Sequence, residues 1–138
     1  MLRYCLIFIL LTLAACASDP SKPHYRMSPE AFIDEYMKNH YTAIKKFSGK
    51  RIRFDGILKR KVGEDIDGIF AVEFYGMDDA QAYESGMRLF FLDPSHPENL
   101  SDFFVYQPGM EISLMCTLDT TSNTPIVNGC RFISDLKK

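Results

Sequence analysis

The first third of the chain carries a helical pattern of apolar residues between Ser28 and Gly49. Side chains at steps of three and four form one stripe that charged residues flank, as in an amphipathic helix. Ser28 is a good N-cap, Pro29 suits the first helical position, and Gly49 is typical of a C-terminal stop. The pattern predicts one helix packed on the rest of the domain, with a partner-binding or membrane-lying helix as the alternative. The stripe comprises Ile33, Tyr36, Met37, His40, Ile44 and Phe47.

The remainder of the chain alternates apolar and polar residues, which indicates β-strands. The first strand starts after Lys50, and its interior Gly56 suggests a bulge or a sharp bend. One or two helical turns are predicted at residues 97–106, between the third and fourth strands. The later strands are predicted at residues 69–75, 87–92, 111–119 and 125–133.

Two cysteines in the last two predicted strands test how these strands pair. If the polar loop centred near Asn123 joins them as an antiparallel hairpin, Cys116 lies opposite Cys130. A disulfide between these cysteines is the first expectation in an oxidising compartment, and two buried thiols or a pair of metal ligands are the alternatives. The same register places Leu114 opposite Phe132 and Leu118 opposite Asn128.

The N-terminal segment has the build of a secretory signal peptide. A positive charge at Arg3 precedes a short apolar core and small residues, and this core is shorter than the roughly 20 residues of a membrane span. Leu13-Ala14-Ala15 directly before Cys16 resembles the bacterial lipobox, which implies that Cys16 is lipidated and begins the mature protein. A plain signal peptide is the alternative. The predicted parts are a signal peptide at 1–15, the lipidated cysteine with a flexible tether at 16–27, and a domain of one N-terminal helix plus a barrel at 28–138.

Length and charge limit the function. Removal of residues 1–15 leaves 123 residues, enough for one domain with a core of its own. Only Arg3 of the 16 basic residues is removed, so the mature chain has 15 basic and 18 acidic residues and a net charge of −3. This balance gives no overall attraction to nucleic acid, and no nucleic-acid partner is expected.

The sequence carries no recognisable catalytic signature. His24, His40 and His96 lie in separate segments, and no Ser-His-Asp set, phosphate loop or metal cluster accompanies them. We therefore expect a protein that is not an enzyme and that needs no cofactor or metal.

Five strands, a bend in the first, and a short helix between the third and fourth fit a mainly β fold with an N-terminal helix and a five-stranded OB-type barrel. The opening pattern is Tyr36, Asn39, Ala43, Lys46-Phe47, Gly49-Lys50, Ile52, Phe54 and Gly56, and the closing one is Gly109 to Leu114 with Cys116, followed by Asn128 and Cys130. Together they resemble the tRNA-anti-like OB-fold domains of bacterial lipoproteins and small secreted proteins. The resemblance implies the fold and carries no catalytic signature.

An OB barrel binds its ligands across the second and third strands, beside the loop that joins the first two. In this chain that loop is acidic, which disfavours phosphates and favours a cationic ligand. The candidate ligand-binding residues are Glu64, Asp65, Asp67, Phe70 and Arg88.

The expected function is a membrane-anchored, non-catalytic binding or adaptor module for a protein, peptide or cationic ligand. The lipid on Cys16 would hold it in the membrane, and an envelope protein is the expected partner. Because Ala17 and Ser18 differ from an inner-membrane retention signal, the outer membrane facing the periplasm is the expected location. A structural role in an envelope assembly is the first alternative, and an oligosaccharide or nucleic-acid binder is the second.

Overall fold

The computed structural model describes residues 19–63, 69–77, 88–121 and 126–133. The predicted signal peptide, Cys16 and the acidic residues Glu64, Asp65 and Asp67 lie outside these ranges. In chain order the elements are β1 (Tyr25–Met27), α1 (Pro29–Lys38), α2 (His40–Phe47), β2 (Arg51–Val62), β3 (Ala71–Phe74), β4 (Phe90–Leu92), α3 (Pro97–Val105), β5 (Glu111–Asp119) and β6 (Ile126–Phe132). None of the helices in the described ranges is long and apolar enough to cross a membrane.

The strands β2 to β6 close into a five-stranded barrel, as the sequence predicted. The hydrogen-bonded order is β1-β2-β3-β4-β6-β5, and β5 pairs again with β2 to complete the circle. The pair β4–β6 is parallel, whereas β2–β3, β3–β4, β5–β6 and β2–β5 are antiparallel. This is the OB-type arrangement, with α3 between the third and fourth barrel strands.

The long strand β2 changes its antiparallel partner just after Gly56. Its first half pairs with β5 from Arg51 to Ile57, and its second half pairs with β3 from Leu58 onward. A Cβ at Gly56 would lie 2.7 Å from Cδ1 of the buried Phe74 ring and 3.2 Å from Cδ of Pro29. Glycine is therefore needed here for close packing, and the register shift in β2 comes two residues later, between Leu58 and Arg60.

The single helix predicted from Ser28 to Gly49 is wrong in one respect, because the chain breaks at Asn39. The backbone of Asn39 is extended (φ −160°), and its N–H ends α1 by donating to the Glu35 carbonyl. Its side-chain oxygen then accepts from the N–H of Thr42 and caps α2. The predicted start is correct, since the Ser28 hydroxyl accepts from the N–H of Ala31.

The tether predicted to extend to residue 27 is also wrong, because its second half is ordered against the barrel. Tyr25–Met27 forms β1, which runs parallel to the start of β2. Tyr25 packs edge-on against the Phe47 ring at 5.1 Å between centroids. The contact between an aromatic side chain and a buried ring stabilises this short segment. The prolines and polar residues of the segment gave no indication of it.

The hairpin of β5 and β6 confirms the disulfide and corrects the register. Cys116 and Cys130 are bonded, and Leu114 lies opposite Phe132 as predicted. Leu118 lies opposite Val127 instead of Asn128, because β6 contains one extra residue near Gly129. Gly129 has a positive φ of 60°, the conformation that such a bulge accepts most easily in glycine.

Phenylalanine rings fill the barrel. Phe54, Phe74 and Phe90 are fully buried, and their rings meet edge to face at centroid distances of 4.9 Å. Phe32 of α1 continues this stack at 5.3 Å from Phe54. On the opposite side, Phe103 anchors α3 in the same core.

Candidate functional site: an acidic-rimmed apolar cleft between β4 and α3

A cleft of about 110 Å³ opens where the chain leaves β4 and enters α3. Its walls come from the residue before β3, from the turn after β4 and from the first half of α3. Most of the lining side chains are apolar, which is typical of sites that take an apolar ligand group. The lining residues are Phe70, Leu92, Asp93, Pro94, His96, Pro97, Asn99 and Leu100.

The turn between β4 and α3 is built by Asp93 and two prolines. The Asp93 carboxylate accepts from the N–H of Ser95 at 2.9 Å, and the Asp93 carbonyl accepts from the N–H of His96 at 3.3 Å. Pro97 then starts α3 at a position where a missing N–H costs nothing. His96 is the N-cap residue, but its side chain makes no capping hydrogen bond, so the imidazole is left to line the cleft.

Asn99 fixes the floor of the cleft. This side chain is 3% exposed, and its amide nitrogen donates to the carbonyls of Asp93 and Cys130, each at 2.9 Å. Its amide oxygen accepts from the N–H of Phe132 at 3.0 Å. One buried side chain thus joins α3 to the turn after β4 and to β6, and it sets the spacing between the two walls.

Phe70 and the exposed side of α3 form the apolar wall. The Phe70 ring meets the buried Phe103 ring edge-on at 5.0 Å between centroids, so it is held in place while it lines the cleft. Leu100 and Phe104 lie one turn apart on α3 and are 45% and 52% exposed. Apolar side chains that remain open beside a concave surface are typical of an interaction site.

The rim of the cleft is acidic. Hydrogen bonds from the backbone and the hydroxyl of Ser95 lower the pKa of Asp93, with a smaller contribution from the charge of His96. The His96 ring lies between two carboxylates, with Nδ1 3.4 Å from Oε1 of Glu98 and Nε2 3.7 Å from Oδ2 of Asp93. α3 also carries Asp102 and contains no basic residue. The cleft therefore presents carboxylates next to its apolar walls.

The described residues that flank the acidic stretch 64–68 lie close together. A Cβ at Gly63 would lie only 1.7 Å from the carbonyl oxygen of Ile69. Gly63 adopts a positive φ of 119°, which is open only to glycine at such close approach. Phe70, the next residue after Ile69, is part of the cleft wall.

Three of the five basic residues of β2 are paired with carboxylates, namely Arg53, Lys59 and Arg60. Glu73 is 4% exposed and accepts from Arg60 Nη2 at 2.7 Å, and Lys59 Nζ lies 3.4 Å from its other oxygen. Burial alone would raise the pKa of Asp55, but hydrogen bonds from Ser113, Arg53 and Arg26 outweigh that effect and lower it. Paired cations of this kind form a poor groove for a phosphate backbone.

Of the residues that the sequence proposed for ligand binding, the structure brings Phe70 to the cleft. Arg88 lies before β4 and is not among the described residues that line it. Reasoning from sequence missed His96, Asn99 and Leu100. The available signal was the surplus of apolar residues in α3, more than a single buried face can absorb. In the described ranges, no group of three or more His, Cys, Asp or Glu side chains is placed to hold a metal ion.

A solved structure has a similar fold. No protein-family model and no curated protein matches the sequence. The structure is similar to that of a candidate nucleic-acid-binding lipoprotein from Klebsiella pneumoniae, with a TM-score of 0.55. The two chains are 15% identical, and the match covers 79% of this chain and 91% of the Klebsiella chain. At that level of identity the similarity shows a shared fold alone.

Proposed function

We propose that this protein is a lipid-anchored, non-catalytic binding module of the bacterial envelope, and that the cleft between β4 and α3 holds a side chain of its protein or peptide partner. The observation that carries the proposal is the cleft itself, which combines exposed apolar walls with an acidic rim. A volume of about 110 Å³ suits one large apolar side chain.

The preferred partner segment has an apolar residue next to a lysine or arginine. Asp93 and Glu98 would attract the positive charge, while Phe70 and Leu100 would contact the apolar group. Opposite charges at the edge of an apolar contact favour the correct partner and its orientation more than they add affinity. The sequence of the neighbouring loop, with Glu64, Asp65 and Asp67, adds to the same preference.

The proposed anchor is a lipid group on Cys16. The lipobox-like sequence before Cys16 supports it, and so does the similarity of the fold to that of a Klebsiella lipoprotein. Membership of the tRNA-anti-like OB-fold family and a position on the periplasmic face of the outer membrane belong to the same proposal. Two or more acyl chains on one residue hold a protein far more firmly than one chain does.

Selection of peptides by the mature lipidated protein in detergent micelles tests the cleft. A random peptide library should yield ligands that combine a basic residue with a large apolar one. These ligands should lose at least tenfold in affinity for Leu100→Glu, which puts a charge into the cleft wall. They should bind Val105→Glu normally, because Val105 is 66% exposed on the same helix and does not line the cleft.

Two results would count against the proposal. Ligands that bind Leu100→Glu as well as the wild type would place the binding surface elsewhere. Single-stranded DNA that binds with a steep dependence on salt concentration would favour the nucleic-acid reading, since release of counterions from phosphates is its signature. We expect no such binding, because on β2 Asp55 pairs with Arg53 and Glu73 pairs with Arg60.

A further inference from the structure

The residues just after the proposed anchor are fixed to the start of β2 through Arg51. Its guanidinium donates from Nε to the carbonyl of Lys22 at 2.9 Å and from Nη2 to the carbonyl of Asp19 at 3.0 Å. The backbone of Arg51 exchanges two more hydrogen bonds with His24, one to the imidazole Nδ1 and one from the His24 N–H. The segment from Asp19 to His24 is therefore part of the domain.

This attachment limits how far the domain can lie from a lipid on Cys16. Only three peptide units separate Cys16 from Asp19, and an extended chain spans at most about 11 Å over that length. The proposed tether of residues 16–27 would have allowed free rotation above the membrane. With Asp19 fixed, the end of the barrel that contains the start of β2 must stay next to the bilayer.

The surface at this end carries unpaired positive charge. Lys22, Lys45 and Lys50 are exposed, and their ammonium groups make no ion pair with any residue of the described ranges. Two carboxylates, Asp19 and Asp119, also lie near the start of β2, and hydrogen bonds from Ser21 and Thr121 lower the pKa of each, so both keep their negative charge. Lys46 is already paired with Glu35.

An exposed aromatic residue accompanies these lysines. Tyr41 is 79% exposed and lies one helical turn before Lys45, on the same side of α2. Tyrosine is enriched at the level of lipid headgroups, where its ring is half in apolar surroundings and its hydroxyl stays in water. Lysine side chains at that level attract anionic lipids.

We propose that Lys22, Tyr41, Lys45 and Lys50 form a docking face that lies on an anionic phospholipid surface when the protein is anchored. The inference rests on the proposed lipidation of Cys16 and adds a fixed orientation of the domain to it. The far end of β5 then points away from the bilayer. Glu111 lies six residues along β5 from Thr117, which pairs with Arg51, a contour distance of about 20 Å.

Fluorescence quenching in vesicles tests this orientation. The mature lipidated protein is labelled through Lys50→Cys, which leaves Lys22, Tyr41 and Lys45 in the docking face, or through Glu111→Cys, and it is reconstituted into vesicles that contain a headgroup-level quencher lipid. The native Cys116 and Cys130 do not interfere, because they are bonded to each other. We expect several-fold stronger quenching of the label at position 50 than of the label at position 111. The difference should increase when phosphatidylglycerol is added to phosphatidylcholine.

A charge variant separates the docking face from the anchor. Lys22→Gln with Lys45→Gln should abolish the phosphatidylglycerol-dependent part of the quenching at position 50, whereas Lys38→Gln on α1 should leave it unchanged. If the protein sediments with vesicles but positions 50 and 111 are quenched equally, the docking face is wrong and the anchor stands. If the protein does not sediment with vesicles at all, both the anchor and the docking face are wrong.

Discussion

Replacement of Asn99 by alanine tests how the cleft is held together. The Asn99 side chain is buried and makes three hydrogen bonds, to the carbonyls of Asp93 and Cys130 and from the N–H of Phe132. Alanine removes all three and leaves no polar atom in their place. The Cys130 carbonyl keeps a second donor, the N–H of Asp93 at 2.8 Å, but the buried N–H of Phe132 loses the acceptor described for it.

The magnitude follows from these partners. A buried donor left without an acceptor costs about 1–3 kcal/mol, and each further hydrogen bond contributes about 1 kcal/mol net. Because the Cys130 carbonyl remains satisfied, we expect Asn99→Ala to lower the free energy of unfolding by about 2–4 kcal/mol. In a domain of this size that corresponds to a fall in Tm of roughly 8–15 °C.

Urea unfolding followed by circular dichroism measures the change. Gln107→Ala is the control, since Gln107 is an exposed amide that also bonds a backbone carbonyl, that of Phe104 at 3.2 Å. Its effect should stay within about 0.5 kcal/mol. Asn99→Asp keeps an oxygen that accepts from the N–H of Phe132, but its other oxygen faces the carbonyls of Asp93 and Cys130 and repels them. Protonation of the carboxylate removes its charge and supplies a donor, so the loss in unfolding free energy should be smaller at acidic pH. An Asn99→Ala protein as stable as Gln107→Ala would refute this account of the cleft floor.

Three further predictions concern the stability of the barrel. Reduction of the bond between Cys116 and Cys130, which closes a loop with a sequence separation of 14, should lower the free energy of unfolding by about 3 kcal/mol in a denaturant titration with and without reductant. Gly56→Ala should cost about 1–3 kcal/mol in the same assay, because the new Cβ meets the buried Phe74 ring at 2.7 Å. The folded-state pKa of Asp55 is lowered, so its stabilisation is present above the ordinary carboxyl pKa and is lost as the pH falls through the folded value. The unfolding free energy of wild type should therefore fall more steeply under acid than that of Asp55→Asn, and parallel curves would contradict the pairing described for this carboxylate.

Local sequence patterns were sufficient to predict many of the barrel strands and their pairing. Residues 111–119 were predicted as a strand, and β5 spans Glu111–Asp119. The hairpin register placed Cys116 opposite Cys130 because alternation and loop length together restrict antiparallel pairing. The remaining error was a shift of one residue in the strand pairing beyond the bulge at Gly129, where φ is positive. A bulge of this kind depends on the neighbouring strand, and periodicity carries no information about it.

The errors at the N-terminus have a different cause. Asn39 ends one helix and caps the next, and a continuous apolar stripe conceals such a break because both helices pack on the same core. The order of residues 19–27 depends on Arg51 and Phe47, which are distant in the sequence. Contacts between separated segments cannot be read from the composition of either segment.

The candidate site was only partly predictable for the same reason. Phe70 was identified from the usual ligand face of an OB barrel, and it does line the cleft. His96 and Leu100 reach the cleft because Asn99 ties α3 to β6, and this buried amide has no signature in a single sequence.

Photocrosslinking from within the cleft in living cells tests the central claim most directly. A photoreactive residue at position 100 is compared with one at position 131 on β6, which is half-buried and does not line the cleft, in the wild type and in Cys16→Ala. We predict a discrete adduct with an envelope protein from position 100, absent from position 131 and lost in Cys16→Ala. Equal labelling from both positions, or an adduct that survives in Cys16→Ala, would contradict a binding module that acts through this cleft at the membrane.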